Sequence, residues 1–208
     1  MTIYRDSADK LLTDYPRPSL AVDTAVLTVS DGELCVALVQ NKDGWRLPGT
    51  FVHERETLAD AVLRSLRDKA HIEGLRPRQL QVFDTPGRDT RGWVISVAHL
   101  VVVPAASVAE ITLRPVAEAQ GLNFDHDTIV DVAARTLRAQ YLAAPDPEGI
   151  LGAEFTLLDL LRLHSAIADE PLGKDTFRRH MRGQLLETDA YQQGLVGKPA
   201  KLFRHAET

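Results

Sequence analysis

The stretch LPGTFVHERETLADAVLRSLRDKAHI, residues Leu47 to Ile72, decides the fold. Its second half is patterned as a helix. Leu58, Ala61, Val62 and Leu66 share one face at helical spacing and leave the charged residues on the other. Its first half, with Pro48 and Gly49, is a tight loop. Glu56 stands in the approach to the helix and Arg64 within it.

The flanking segments predict strands. LAVDTAVLTVSDGELCVALVQ, residues 20–40, reads as two β-branched strands around the turn SDGE. NKDGWRLPGT reads as a loop, and QLQVFDT and GWVISVAHLVVV as further strands joined by PGRDTRG. DHDTIVDVAARTLRAQYL predicts a second helix, with Ile129, Val132, Ala133 and Leu137 inward and Asp125 or Asp127 as its cap. The segment AAPDPEGILGAE, with two prolines and two glycines, reads as an interdomain linker. Beyond it the pattern changes. FTLLDLLRLHSAIA is an apolar helix opened by Thr156 with Asp159 three residues on, as in a capping box. DEPLG is a turn, KDTFRRHMRGQ a short basic helix, and LLETDA and PAKLFRH a hairpin around YQQGLVGK. Helix, turn, basic helix and hairpin is the order of a winged helix-turn-helix.

Composition bounds the class. The 208 residues are 44% hydrophobic and 25% charged, an ordinary globular balance. A single cysteine, Cys35, excludes an intramolecular disulfide and reads as a core strand residue. No signal peptide or membrane span is visible, and a cytoplasmic protein is expected. The net charge of −5 does not advertise a nucleic-acid partner. Its distribution does: Lys174 to Thr208 holds seven basic and four acidic residues. In the basic helix, Phe177, Met181 and Leu185 fall inward, while Lys174, Arg178 and Arg182 form a row with Arg179 beside it. Such a row fits the DNA major groove, with Lys198 and Lys201 of the hairpin placed for backbone phosphates. A solvated basic face with no partner gives the same pattern.

The stretch around Glu56 and Arg64 resembles the Nudix box, in which an Arg-Glu-apolar-x-Glu-Glu-x-Gly run follows a glutamate by seven residues. Glu56 and Arg64 fix the register, and Leu66 and Ile72 fill the apolar positions. The box glutamates gather divalent cations around a pyrophosphate. Here those positions hold Ser65, Asp68 and Lys69, and Thr50 and His71 replace the glycines. An ammonium about 4 Å from a cation is repelled by roughly 4 kcal/mol at a surface-like dielectric. The expectation is a Nudix α/β/α sandwich that binds no catalytic metal and is not an enzyme. Its pocket is expected to persist: Trp45, Arg46 and Phe51 from one loop and Arg88 and Arg91 from another suit a nucleoside diphosphate, by guanidinium–phosphate pairing and aromatic stacking. Arg88 and Arg91 equally read as solvated loop charges beside Asp84 and Asp89.

The two halves together resemble the NrtR family of Nudix-related bacterial transcriptional regulators, from about Pro18 to His205. NFDHD, FTL, DTFRRHM and KPAKLFR carry the resemblance. It implies a Nudix-like sensor over residues 1–148 and a winged helix-turn-helix over 149–208. It further implies a homodimeric repressor of NAD biosynthesis or salvage genes, bound to a palindromic operator and sensing ADP-ribose, with no cofactor. Two other readings stay open: a Nudix hydrolase acting on ADP-ribose or a related nucleoside diphosphate, and a related regulator sensing a sugar. An RNA-binding or scaffolding role is disfavoured by the scarcity of base-stacking aromatics on the basic segment.

Overall fold

The computed structural model describes residues 4–108, 110–192 and 199–206. Strands β1 (Ser19–Ser30) and β2 (Glu33–Asn41) form the expected hairpin. The expected loop NKDGWRLPGT contains two short strands instead, β3 (Gly44–Arg46) and β4 (Gly49–Phe51). They form because β2 and β1 offer them antiparallel edges. Helix α1 (Leu58–Ala70) follows, capped reciprocally by Thr57 and Asp60. Next come β5 (Arg78–Phe83), β6 (Val94–Val102) and β7 (Thr112–Pro115). β1 and β6 run parallel, and the seven-stranded sheet has the path β3-β2-β1-β6-β5, with β4 on β1 and β7 on β2.

Helix α2 (His126–Ala143) covers the face opposite α1. Ala61, Val62 and Leu66 of α1 pack on Val22 and Val26, while Ile129, Ala133 and Leu137 of α2 pack on Leu27, Val36 and Leu38. That is a three-layer α/β/α sandwich, and Cys35 is buried in its sheet. Neither expected carboxylate caps α2. Asp125 makes no cap bond and is held by Arg88, and Asp127 accepts from the Gly121 and Leu122 amides (2.9 and 2.8 Å).

The C-terminal part contains β8 (Phe155–Thr156), α3 (Leu157–Ala168), α4 (Lys174–Met181), β9 (Leu185–Gln192) and β10 (Ala200–His205). The Thr156–Asp159 capping box opens α3 as expected. A 3-10 turn, Arg182–Gln184, ends the basic segment, so Arg182 lies beyond the α-helix. β9, β10 and β8 form a small sheet, and Phe155, Leu160, Phe177, Met181 and Phe203 form a core of their own. Two helices followed by a hairpin make the winged helix-turn-helix.

The segment expected as a linker is a structured corner. Asp146, 1% exposed, accepts hydrogen bonds from the Tyr141 hydroxyl (2.7 Å) and the Ile150 and Leu151 amides (2.9 Å each). Leu163 and Ile167 of α3 join the sandwich core, and Arg138 of α2 donates to the Ile167 carbonyl (2.9 Å). Among the described residues, no helix is long and apolar enough to cross a membrane.

Candidate functional site

Arg64 is the hub of the box. Its guanidinium forks onto Glu56 (Nε–Oε1 2.7 Å, Nη2–Oε2 2.8 Å) and also donates to Thr50 Oγ1 (3.1 Å) and the Phe51 carbonyl (2.9 Å). These bonds tie β4 to α1. Hydrogen bonds from Arg64, then from the His53 amide, hold the Glu56 carboxyl at about 2.

A cavity of about 260 Å³ opens beside this hub, just below the usual range for a small-molecule site. Lys69 lines it and donates a hydrogen bond to the Gly49 carbonyl. Partial desolvation, then the charges of Arg46, Arg64 and Arg91, pushes the Lys69 ammonium below its ordinary range, against the pull of Asp23. Arg46 also lines the cavity, and its buried Nε–H has no partner among the described residues. Arg91 reaches in from the β5–β6 loop. It is forked on buried Asp89 (2.9 and 2.7 Å), and its guanidinium lies 5.2 Å from the Phe51 ring centre and 4.7 Å from that of Phe124.

Asp23 of β1 forms the floor. Ser96 Oγ donates to it (2.6 Å), Arg88 lies 3.7 Å away, and His126 Nε2 lies 3.4 Å away. The Leu47 amide donates to His126 Nδ1 (2.9 Å), so the proton of the neutral ring sits on Nε2, toward Asp23. Burial opposes the Asp23 charge, but the contacts with His126, Ser96 and Arg88 outweigh it and keep the carboxyl below its ordinary value. Gly49 must be glycine here: a Cβ would lie 2.0 Å from Asp23 Oδ1.

Of the five residues expected to bind ligand, Arg46, Phe51, Arg88 and Arg91 line this cavity and Trp45 does not. Trp45 and Arg46 are neighbours in β3, and successive strand residues face opposite ways. Trp45 packs against the sandwich core, with Arg114 stacked 5.4 Å from its ring centre. Arg88 lines the cavity but its guanidinium is committed: its side chain is 4% exposed and forked on Asp125. Phe124, Asp23 and His126 were not singled out as site residues. The motif NFDHD contains two of them, but nothing local in it gives them a role.

The Nudix box implies a divalent cation, and these residues do not fit one. Ser65 is 1% exposed and supplies no carboxylate. Asp68 is an exposed side chain paired with Arg67 (3.1 Å). Lys69 brings a positive charge. Among the described residues, no group of three or more His, Cys, Asp and Glu could hold a metal ion.

The second site is α4. Phe177 and Met181 face the core, while Lys174, Arg178 and Arg179 are exposed on the outer side. Arg178, Arg179 and Arg182 line an open concavity with Asp175. Arg182 is engaged by Glu187 of β9 (2.5 Å), and Lys201 of β10 lies 3.8 Å from the same carboxylate. Lys198 lies outside the described residues.

A Nudix-type sandwich fused to a winged helix is thus the class that fold and sites define. A model described as the NrtR DNA-binding winged helix domain matches residues 149–205. The chain is 29% identical over 214 residues to the ADPR responsive transcriptional repressor NtrR of Acinetobacter baylyi, covering 93% of this chain and 84% of that protein. The structure of Shewanella oneidensis NrtR complexed with a 27mer DNA is similar at TM-score 0.74 and 28% identity, over 90% of this chain and 93% of that one. The NUDIX domain of the same protein complexed with ADP ribose is similar at TM-score 0.54 and 29% identity, over 62% of this chain and 95% of that one. Residues 149–205 thus match the NrtR winged helix domain, and the chain as a whole is similar to NrtR regulators.

Proposed function

We propose that this chain is a ligand-responsive bacterial transcriptional repressor of NAD biosynthesis or salvage genes. It binds a palindromic operator as a homodimer and senses ADP-ribose or a related nucleotide without hydrolysing it. Residues 1–148 act as the sensor and residues 149–208 as the DNA-binding unit, in the cytoplasm. One observation carries the reading: α4 buries Phe177 and Met181 and turns Lys174, Arg178 and Arg179 outward, on an element shaped to enter a major groove. The Acinetobacter repressor and the Shewanella complexes with DNA and ADP ribose support both halves of it.

The corner at Asp146 shapes the mechanism. A hinge at the Pro/Gly segment would have to break the bonds from Tyr141, Ile150 and Leu151. Helix α2 offers a stiffer route. Its first residue, His126, lines the sensor cavity, and Tyr141 near its other end contacts Asp146 and the His164 ring (5.0 Å between ring centres). Ligand that shifts the start of α2 displaces α3 and α4 and spoils the spacing of two recognition helices on DNA.

The test is retention of sheared genomic DNA from the source organism at about 150 mM salt, where non-specific phosphate binding is weak. Enrichment of a few palindromic sites is expected. Arg178→Ala is expected to weaken those sites by about 1–3 kcal/mol if the side chain reads a base, and ADP-ribose is expected to release them. Uniform retention, or none, overturns the operator-binding claim.

A further inference from the structure

The Nudix register puts a lysine where the box would hold a cation, and the structure shows what the lysine does there. Its stem leaves the last turn of α1, and its ammonium is seated on the Gly49 carbonyl at the wall of the cavity. Arg46 faces the same space with a buried Nε–H that no described residue accepts. The carboxylates nearby are already engaged. Asp23 is held by Ser96, His126 and Arg88, and Asp89 by both arms of Arg91. Lys69 and Arg46 therefore face the cavity as positive charge that no described carboxylate neutralises by direct contact.

We infer that Lys69 takes the place of the divalent cation: its ammonium, together with Arg46, holds the diphosphate of the effector directly, so that effector binding needs no metal. This rests on reading the cavity as the nucleoside-diphosphate site of the sensor. The chemistry is consistent from three sides. An ammonium supplies hydrogen-bond donors to phosphate oxygens and charge at a fixed place. The Gly49 carbonyl holds one donor and orients the rest. Desolvation depresses the Lys69 ammonium most and the charges of Arg46, Arg64 and Arg91 add to it, and a diphosphate relieves the repulsion among these cations. A lysine also lacks the power of a dication to acidify bound water, so the diphosphate is retained intact.

The experiment is calorimetric titration of the full chain with ADP-ribose, once in excess EDTA and once in millimolar Mg²⁺, with inorganic pyrophosphate as a second probe. Affinity is expected to agree within about twofold between the two buffers. Lys69→Met is expected to weaken binding in EDTA by about ten- to a hundredfold, the scale of a lost charge-assisted bond. Lys69→Arg should recover most of that loss. The side chain lies outside the core, so thermal unfolding should show the Met variant folded.

Binding that appears only with Mg²⁺, or a Met variant that binds as tightly as the parent, overturns the role of Lys69 and leaves the effector reading standing. If ADP-ribose fails in both buffers while pyrophosphate binds in EDTA and is lost in the Met variant, the effector falls and the lysine's role survives. Failure of both probes in EDTA overturns the inference.

Discussion

Glu187 restrains two cations of the proposed DNA surface, and removing its charge should release them. Arg182 is bound to Glu187 at 2.5 Å, and Lys201 lies 3.8 Å from the other carboxylate oxygen. The Arg182 hydrogen bond, followed by the charges of Arg182, Lys201 and Arg178, keeps the Glu187 carboxyl below its ordinary value, so it is ionised at neutral pH. Its negative charge would repel a phosphate approaching these two cations. Glu187→Gln keeps the shape and removes the charge. If the freed Arg182 and Lys201 each neutralise one phosphate, the slope of log affinity against log salt steepens by about 0.9 for each, roughly 1.8 per chain. Between about 50 and 200 mM salt that is roughly twelvefold of extra salt sensitivity. Fluorescence anisotropy on a random duplex across a salt series reads it directly. Binding should also tighten at the low-salt end, while the melting temperature moves by roughly two degrees or less, as for an exposed pair. An unchanged slope would mean that Arg182 and Lys201 lie off the path of the DNA, and would refute the placement of β9 and β10 against the backbone.

Three further outcomes are expected. Gly49→Ala would drive a Cβ to 2.0 Å from Asp23 Oδ1 and 2.8 Å from the Val22 carbonyl; a loss of about 1–3 kcal/mol is expected in thermal or denaturant unfolding, with effector binding lost as Asp23 is displaced. His71 ends α1 in the left-handed region at φ 55°, where the box has glycine; His71→Gly should relieve about 1 kcal/mol and raise the melting temperature by about 2–4 °C. Burial lowers the His164 imidazole to about 4, with Asp146 opposing and His180 assisting; because the folded value lies below the unfolded one, stability is full above about pH 6.5 and falls as pH drops toward 4, by on the order of 3 kcal/mol, and His164→Phe should flatten that dependence in unfolding measured between those limits.

What was legible in the sequence was what periodicity and local chemistry encode. The spacing of Leu58, Ala61, Val62 and Leu66 placed α1, and the Thr156–Asp159 pair placed the start of α3. The Phe177–Met181 spacing separated the buried from the cationic face of α4. What was illegible depends on long-range pairing. β3 and β4 are three residues each and exist only because β2 and β1 present edges. Once they exist, strand alternation sends Arg46 to the cavity and Trp45 to the core, a consequence hidden while the segment read as a loop. Arg88 read as either a phosphate ligand or a solvated loop charge because its partner Asp125 lies 37 positions away. The floor of the cavity joins Asp23 to Ser96 across 73 positions, and Leu47 to His126 across 79. No local pattern announces such contacts.

The residues the box retains and those it has changed divide by task. Glu56 and Arg64 remain, and their bonds run to Thr50 and Phe51 of β4, which line the cavity, and to His53 just beyond it. They are scaffold, and a sensor needs the scaffold as much as an enzyme does. The changed positions, Ser65, Asp68 and Lys69, are those where the box carries the glutamates that gather divalent cations. Two physical demands pull them apart. A hydrolase must place a dication where it activates water and then release product. A sensor must hold its ligand unchanged, for as long as the ligand's concentration signals something, and convert its binding into a shift of α4. Replacing the dication with Lys69 meets the first demand of a sensor. In the proposed mechanism the second is met outside the box, along α2, from His126 at the cavity to Tyr141 beside Asp146 and His164. Tyr141→Phe and Asp146→Asn should therefore leave ADP-ribose affinity intact while weakening its power to release DNA, and a variant that lost both together would place the coupling elsewhere.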